Sequence, residues 1–234
     1  MRSRQQITKL KKAQSPPVSI TDISIEVDKY LNFYYENKKH WVIKNTGPTF
    51  LQIEKVDKNN ELLQPIVNKL KDRFGSFKIR TSHIFDVTSP HVIHNDDTPE
   101  YPNSYKAFTI PLKIYGKSND LKLVLFDQYY YHGPAKFFNG DIPNKHAVYY
   151  NKPLCNYKYV SYKSNLKISD EIYKKYLTHC KKEWLDNLSI NTLLDWKLGN
   201  ILCFDSLQLH CSSNFRNNNV SQKIGLSIFT VKDD

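Results

Sequence analysis

The sequence predicts a mainly β domain of the α+β class, with helices placed ahead of a jelly-roll barrel. Three observations predict it. Apolar residues repeat at helical spacing up to Gly75, they repeat every second residue from Phe77 onward, and the later runs are cut by Pro, Gly, Asn and Asp. Helices in front and many short antiparallel strands behind suggest a double-stranded β-helix, cupin-like, whose N-terminal helices buttress one sheet. Such a barrel commonly keeps a ligand cavity between its sheets, yet it serves many functions, so function has to come from the site.

In chain order, "MRSRQQITKLKKAQSPP" is basic and free of acids, and residues 1–18 are expected to form a flexible basic tail ended by Pro16-Pro17. Residues 19–234 are expected to form a single domain. "VSITDISIEV" alternates like a strand, and "VDKYLNFYYENKKH" has the aromatic face of a helix. In "NNELLQPIVNKLKDRFG" Leu62, Leu63, Ile66, Val67 and Leu70 share one helical face, Pro65 falls in the first turn, and Gly75 stops the helix. Strands are then expected at "FKIRTSHIFDV", "YKAFTIPLKIY", "LKLVLFDQ", "YKYVSY", "GNILCFDSLQLHCSS" and "QKIGLSIFTV". One late helix, "ISDEIYKKYLTHCKKEWL", is capped by Ser169.

Composition narrows the function classes. No apolar run is long enough for a membrane span, and the N-terminus lacks the apolar core of a secretory signal, so a soluble, intracellular (cytoplasmic) protein is expected. The 4 cysteines include no C-x-x-C pair and suggest reduced thiols rather than a disulfide framework. A net charge of +11 invites a nucleic-acid reading. The cations are mostly lysines scattered along the chain, so a nucleic-acid partner is possible but not favoured.

The chemistry gathers in two stretches. In "PHVIHNDDTPEYPN" the side chains of His94 and Asp96 point to one face of an extended segment and offer a nitrogen and a carboxylate oxygen to one ion. The same residues would equally suit a polar turn in which Asp96 and Asp97 accept from backbone amides. "LGNILCFDSLQLHCSSNFRNNNVSQKIGLSIFT" then brings a histidine, His210, after a turn at Asp205-Ser206, and a cation, Lys223, opening a final strand that ends in Ser227.

With these residues in place the sequence resembles the iron(II)- and 2-oxoglutarate-dependent dioxygenases, including their phytanoyl-type, phage and marine bacterial members. They carry an H-x-D early in the barrel, a distal His late, and an Arg or Lys beyond it. The resemblance covers roughly Phe77 to Thr230 and lies in the pattern of positions, helped by "FTIPLK" and "LVLFDQYYYHGPAKF". It implies an oxidoreductase with Fe(II), 2-oxoglutarate and O2 as cofactor and co-substrates. It implies His94, Asp96 and His210 as metal ligands, a set that leaves three positions open on the ion. Lys223 would bind the C5 carboxylate of the keto acid, with Ser227 or Thr109 as hydrogen-bond donors. Hydroxylation of an unidentified substrate, a small molecule or a macromolecular side chain, is the default outcome. Lys223-Ile224-Gly225 stands where many members have Arg-x-Ser, and a lysine lacks the two-point fork of an arginine.

Other assignments compete. His91 lies three residues before His94 but has no carboxylate two positions on, and it is expected beside the metal ligands or exposed. Arg216 could bind the keto acid but sits in an Asn-rich hairpin. Cys211 should face away from His210 and pack. Residues 127–162, rich in Tyr and Phe, are long enough for a lid, with Tyr129, Tyr130, Tyr131, Phe137 and Phe138 as an apolar rim or as core. Glu100, Tyr101 and Tyr105 mark a second place for substrate selection. The rival functions are a cupin-like metal protein that is not an oxygenase, and a basic nucleic-acid-binding module in which His94 and Asp96 are structural.

Overall fold

Leu62, Leu63, Ile66, Val67 and Leu70 form one apolar stripe, all buried along and just before helix α3 (Gln64–Phe74). Pro65 occupies its first turn, where no N–H is needed, and Gly75 ends it at φ 80°, a conformation that favours glycine. Beyond that glycine the side-chain period changes to two and the barrel begins. The computed structural model describes residues 2–37, 49–52, 61–98, 100–101, 103–117, 120–137, 149–150, 161 and 165–233.

The remaining elements, numbered in chain order, are α1 (Arg4–Lys12), β1 (Val18–Ile20), α2 (Val27–Asn37), β2 (Thr49–Gln52), β3 (Phe77–Val87), β4 (Ser104–Gly116), β5 (Lys122–Tyr129), β6 (Lys136–Phe137), β7 (Tyr149–Tyr150), α4 (Asp170–Ile172), β8 (Ile190–Asp195), β9 (Ile201–Asp205), β10 (Gln208–Ser212) and β11 (Val220–Lys232). A larger antiparallel sheet runs β1-β9-β4-β11-β3-β2, a smaller one β10-β5-β8, and β6 pairs with β7 in parallel. The protein is therefore mainly β with helices.

Alternation along the strands sorts the side chains into layers. On β11, Ile224, Leu226 and Ile228 pack against α2 and α3 together with Tyr30, Tyr34, Leu63 and Leu70, whereas Lys223, Ser227 and Phe229 line a cavity on the opposite face. On β3, Ile84 joins the helix layer while His83, Phe85 and Val87 face the cavity. Each fully buried leucine in that layer contributes about 1.5–3 kcal/mol. On β10, Leu209 and Cys211 join a separate cluster around Trp184, Phe137 and Leu177, and His210 faces the cavity.

Pro111 lies inside β4, a central strand where its missing N–H would break a ladder. The pairing to β9 ends at Thr109 and the register on β11 shifts between Ile224 and Gly225, so no bond is forfeited.

Several expectations change. The basic segment expected as a flexible tail carries α1, closed by a capping box between Ser3 and Gln6 and anchored by Arg2. The strand at "VSITDISIEV" shortens to β1, because only three residues find a partner on β9. The late helix breaks up: Ser169 caps α4, a π-helical turn follows at Tyr173–Leu177, and a 3-10 turn closes at Lys182–Leu185. Tyr176, Leu177, Trp184 and Leu185 still meet in one buried cluster. "GNILCFDSLQLHCSS" forms two strands around Asp205-Ser206, and the last strand starts at Val220 and runs past Ser227 to Lys232. β2 and β8 were not expected, and "YKYVSY" lies outside the described residues apart from Ser161. Among the described residues no helix is long and apolar enough to cross a membrane.

Candidate metal centre

Two hydrogen bonds build the centre before any side chain is considered. His94 N donates to His210 O at 2.9 Å and His210 N donates to His94 O at 2.8 Å, so the two histidines stand directly opposite as an antiparallel pair. Their rings lie on one side with centroids 4.2 Å apart. Two residues on, Asp96 returns to the same face and its N–H donates to Ser206 O at 2.8 Å, which ties it to the turn between β9 and β10. Asn95, on the opposite face, donates to Tyr130 O and Gly133 O and accepts from Ala135 N, which locks the corner to the chain after β5.

Each imidazole has its proton assigned by its surroundings. His94 Nδ1 is 2.8 Å from Val92 O and His210 Nδ1 is 2.9 Å from Gln208 O, so both Nδ1 atoms donate and both Nε2 atoms keep a lone pair. Those lone pairs converge on the Asp96 carboxylate, at 3.6 Å from His94 and 3.3 Å from His210. The three ligand atoms all lie within 4.8 Å of one another. Burial pushes the His94 imidazole well below its usual range and keeps it neutral, as a ligand must be. Burial pushes the Asp96 carboxyl up, with His210 and Arg80 pulling it back. Two ring nitrogens and a desolvated carboxylate aimed at one point fit a divalent metal ion, and this donor set suits iron(II).

The cavity in front of these atoms has a volume of about 290 Å³ and is lined by His94, Asp96, His210, Thr109, Ser227 and Lys223, among others. It thus brings together all six residues singled out in the sequence. Thr109 and Ser227 are cross-strand neighbours on β4 and β11. Lys223 is buried, its Nζ 4.1 Å from the ring centre of Trp196 and 4.7 Å from that of Phe215. Among the described residues no carboxylate comes within ion-pair distance of it, and burial pushes its ammonium down to about 7.

Of the competing residues, His91 stays in the cavity and the others fall elsewhere. His91 lines the cavity with its ring 4.8 Å from that of His94, and its Nε2 is buried with no hydrogen-bond partner among the described residues. Arg216 is exposed, away from the cavity, and donates to Thr88 O at 2.7 Å. Tyr130, Tyr131 and Phe137 are buried, Tyr129 donates to Asp205, and Phe138 lies outside the described residues. Most of the expected lid also lies outside them. Tyr105 packs on the helix side and donates to Phe74 O, so it cannot select a substrate in the cavity.

Sequence reasoning missed four residues that shape the centre. Arg80 donates to the Asp96 carbonyl at 2.7 Å, Arg2 pairs with Asp97, and Trp196 and Phe215 box Lys223. None of them left a local trace: by period two Arg80 falls on the face opposite His83, Phe85 and Val87, and it lines the cavity where the register between β3 and β11 shifts.

The sequence matches no protein-family model and no curated protein. The fold does match solved structures. The epimerase SnoN in complex with Fe3+, alpha ketoglutarate and nogalamycin RO is similar with a TM-score of 0.56 at 11% identity, over 98% of this chain and 85% of that one. The non-heme alpha ketoglutarate dependent carbocyclase SnoK from nogalamycin biosynthesis is similar with a TM-score of 0.51 at 13% identity, over 100% of this chain and 85% of that one. At such identities the likeness is one of fold. The chain has the fold of these non-heme alpha ketoglutarate dependent enzymes.

Proposed function

We propose that this protein is an Fe(II)- and 2-oxoglutarate-dependent oxygenase that hydroxylates a substrate yet to be identified, and that its two sheets are the walls of a double-stranded β-helix. One observation carries the reading: three convergent metal-type ligands and a buried lysine with no carboxylate partner share one cavity. A metal-binding protein of cupin-like, non-oxygenase type would have no use for an uncompensated cation in that place. Burying a charge without a counter-ion is costly, so the site is built for an anion that arrives with the co-substrate.

His94, Asp96 and His210 would hold the iron, which with 2-oxoglutarate and O2 supplies oxidative decarboxylation to succinate and CO2 and the oxidising power to take hydrogen from a substrate carbon. The protein's own part is placement. Val92 O and Gln208 O fix the imidazoles with Nε2 turned inward, and Arg80 holds the backbone of Asp96. Lys223 would bind the distal carboxylate, and Thr109 or Ser227 would donate to it. Phe85, Trp196, Phe204 and Phe229 give the cavity an apolar wall that excludes water. That SnoN is an epimerase and was seen with nogalamycin RO, and that SnoK is a carbocyclase, supports a small-molecule substrate and chemistry at carbon.

The test is spectroscopic. Protein purified without oxygen and loaded with Fe(II) should give the visible charge-transfer band of an iron–keto-acid chelate when 2-oxoglutarate is added. His210→Ala should lose the band, and Lys223→Ala should need more keto acid to reach it. Folded, iron-loaded wild type that shows no band would return the protein to the cupin-like reading.

A further inference from the structure

Behind His210 the structure assembles a second set of donors. Side chains alternate along β10, so Cys211 points away from the cavity into the apolar cluster around Trp184 and Leu177. There it meets Cys180, and the two thiols are 0% and 2% exposed and outside any disulfide. Cys180 Sγ is 3.5 Å from His179 Nε2, and a ring nitrogen of His179 and both sulfurs lie within 4.8 Å of one another. His179 Nε2 also stands 3.1 Å from His91 O, which takes its proton, whereas Nδ1 is buried with no hydrogen-bond partner among the described residues. For an ion to bind there, Nε2, the nitrogen placed beside the thiols, has to give up that hydrogen bond and pass its proton to Nδ1. The chain reaches these residues through the π-helical turn at Tyr173–Leu177, a rare form that recurs at functional sites.

We propose that His179, Cys180 and Cys211 bind a thiophilic divalent cation, zinc(II), at a site separate from the cavity. Thiolate and imidazole ligands select zinc over hard cations. Charge favours the divalent ion as well: two thiolates and a neutral imidazole cancel zinc's two charges, so no net charge is left in the apolar cluster. Binding forms two Zn–S bonds and one Zn–N bond, breaks two S–H bonds and releases two protons to solvent, with no change of oxidation state. The side chains fill three of zinc's usual four positions. Because Cys211 follows His210 directly, an ion there fixes β10 at the residue next to the cavity's own histidine.

Cobalt(II) is the probe. Reduced, metal-free full-length protein titrated with Co(II) under anaerobic conditions should develop a near-ultraviolet sulfur-to-cobalt charge-transfer band. One equivalent of Zn(II) should remove it, Cys180→Ser should lose it, and His94→Ala should retain it. The cavity ligands offer only nitrogen and oxygen, so failure of the oxygenase reading leaves this band untouched and the two fail separately. X-ray absorption of the zinc-loaded wild type should show sulfur neighbours at about 2.3 Å, a result that depends on no variant folding. Cobalt bound without that band, zinc surrounded by nitrogen and oxygen alone, or a Cys180–Cys211 disulfide that reductant does not open would each overturn the proposal.

Discussion

Arg2 and Asp97 form a buried two-point ion pair, Nη1 to Oδ2 at 2.5 Å and Nη2 to Oδ1 at 2.7 Å, with the Asp97 side chain 0% exposed. The same guanidinium donates to Tyr131 O, and Ser104 donates to Asp97 Oδ1. The second residue of the chain thus clamps the position next to Asp96 from behind.

Removing one partner of such a pair strands a buried charge at a cost of about 3–5 kcal/mol. Arg2→Ala should therefore lower the melting temperature by on the order of 10 °C, and Arg2→Lys should recover only part of it, because an ammonium cannot repeat the fork. Urea unfolding measures the first effect. A Co(II) titration followed by its d–d bands measures a weakened cavity site, which an N-terminal segment with no bearing on the metal corner would leave unchanged.

Asp96 is held by its N–H to Ser206 O and by Arg80 at its carbonyl, so its backbone does not need the carboxylate to stay in place. Asp96→Asn should accordingly fold while losing iron at least tenfold in affinity. Apo stability should hold or rise, since burial already disfavours the charged carboxylate. Isothermal calorimetry with Mn(II) and thermal melts of the apo proteins decide this; an unchanged metal affinity would leave Asp96 as a turn residue.

Lys223 falls from 10.5 in a free lysine to about 7 in the folded chain. Between those values the unfolded chain binds more protons, so stability should rise with pH across that window, and below it the buried charge costs stability. A bound carboxylate favours the charged form, so keto-acid affinity should weaken as pH climbs past about 7, by up to tenfold per pH unit, with proton uptake visible by calorimetry in two buffers. Lys223→Met should be as stable as the wild type or more so, yet bind keto acid at least tenfold more weakly. An affinity flat across the same pH range would mean that the ammonium does not hold the acid.

Gly225 leaves the space that Phe85 fills: a Cβ there would lie 2.5 Å from Phe85 Cζ and 2.9 Å from Cε1. This accounts for glycine where the resemblance leads one to expect serine, and it leaves hydroxyl donation to Thr109 and Ser227. Gly225→Ser should push the Phe85 ring into the cavity, cost about 1–3 kcal/mol by overpacking, and weaken keto-acid binding. Adding Phe85→Ala should restore the binding; if it does not, the ring is not the obstacle.

What the sequence determined by itself was local. The apolar stripe of α3, the cap at Ser169, the stop at Gly75 and the alternating run of β3 are set by neighbours within a few residues, and all four are where the pattern puts them. His94 and Asp96 stood out because two residues of extended chain place them on one face. Tertiary structure decided the rest. Nothing local says that His94 will pair with His210, because that bridge closes a loop of more than a hundred residues and is worth making only once the sheets have packed. The Trp196–Phe215 box around Lys223, the clamp of Arg2 on Asp97 and the meeting of His179, Cys180 and Cys211 likewise join segments far apart in the chain. A basic N-terminus looks like a tail because its own composition buries nothing, and it ceases to be one only when a buried carboxylate elsewhere gives Arg2 a partner.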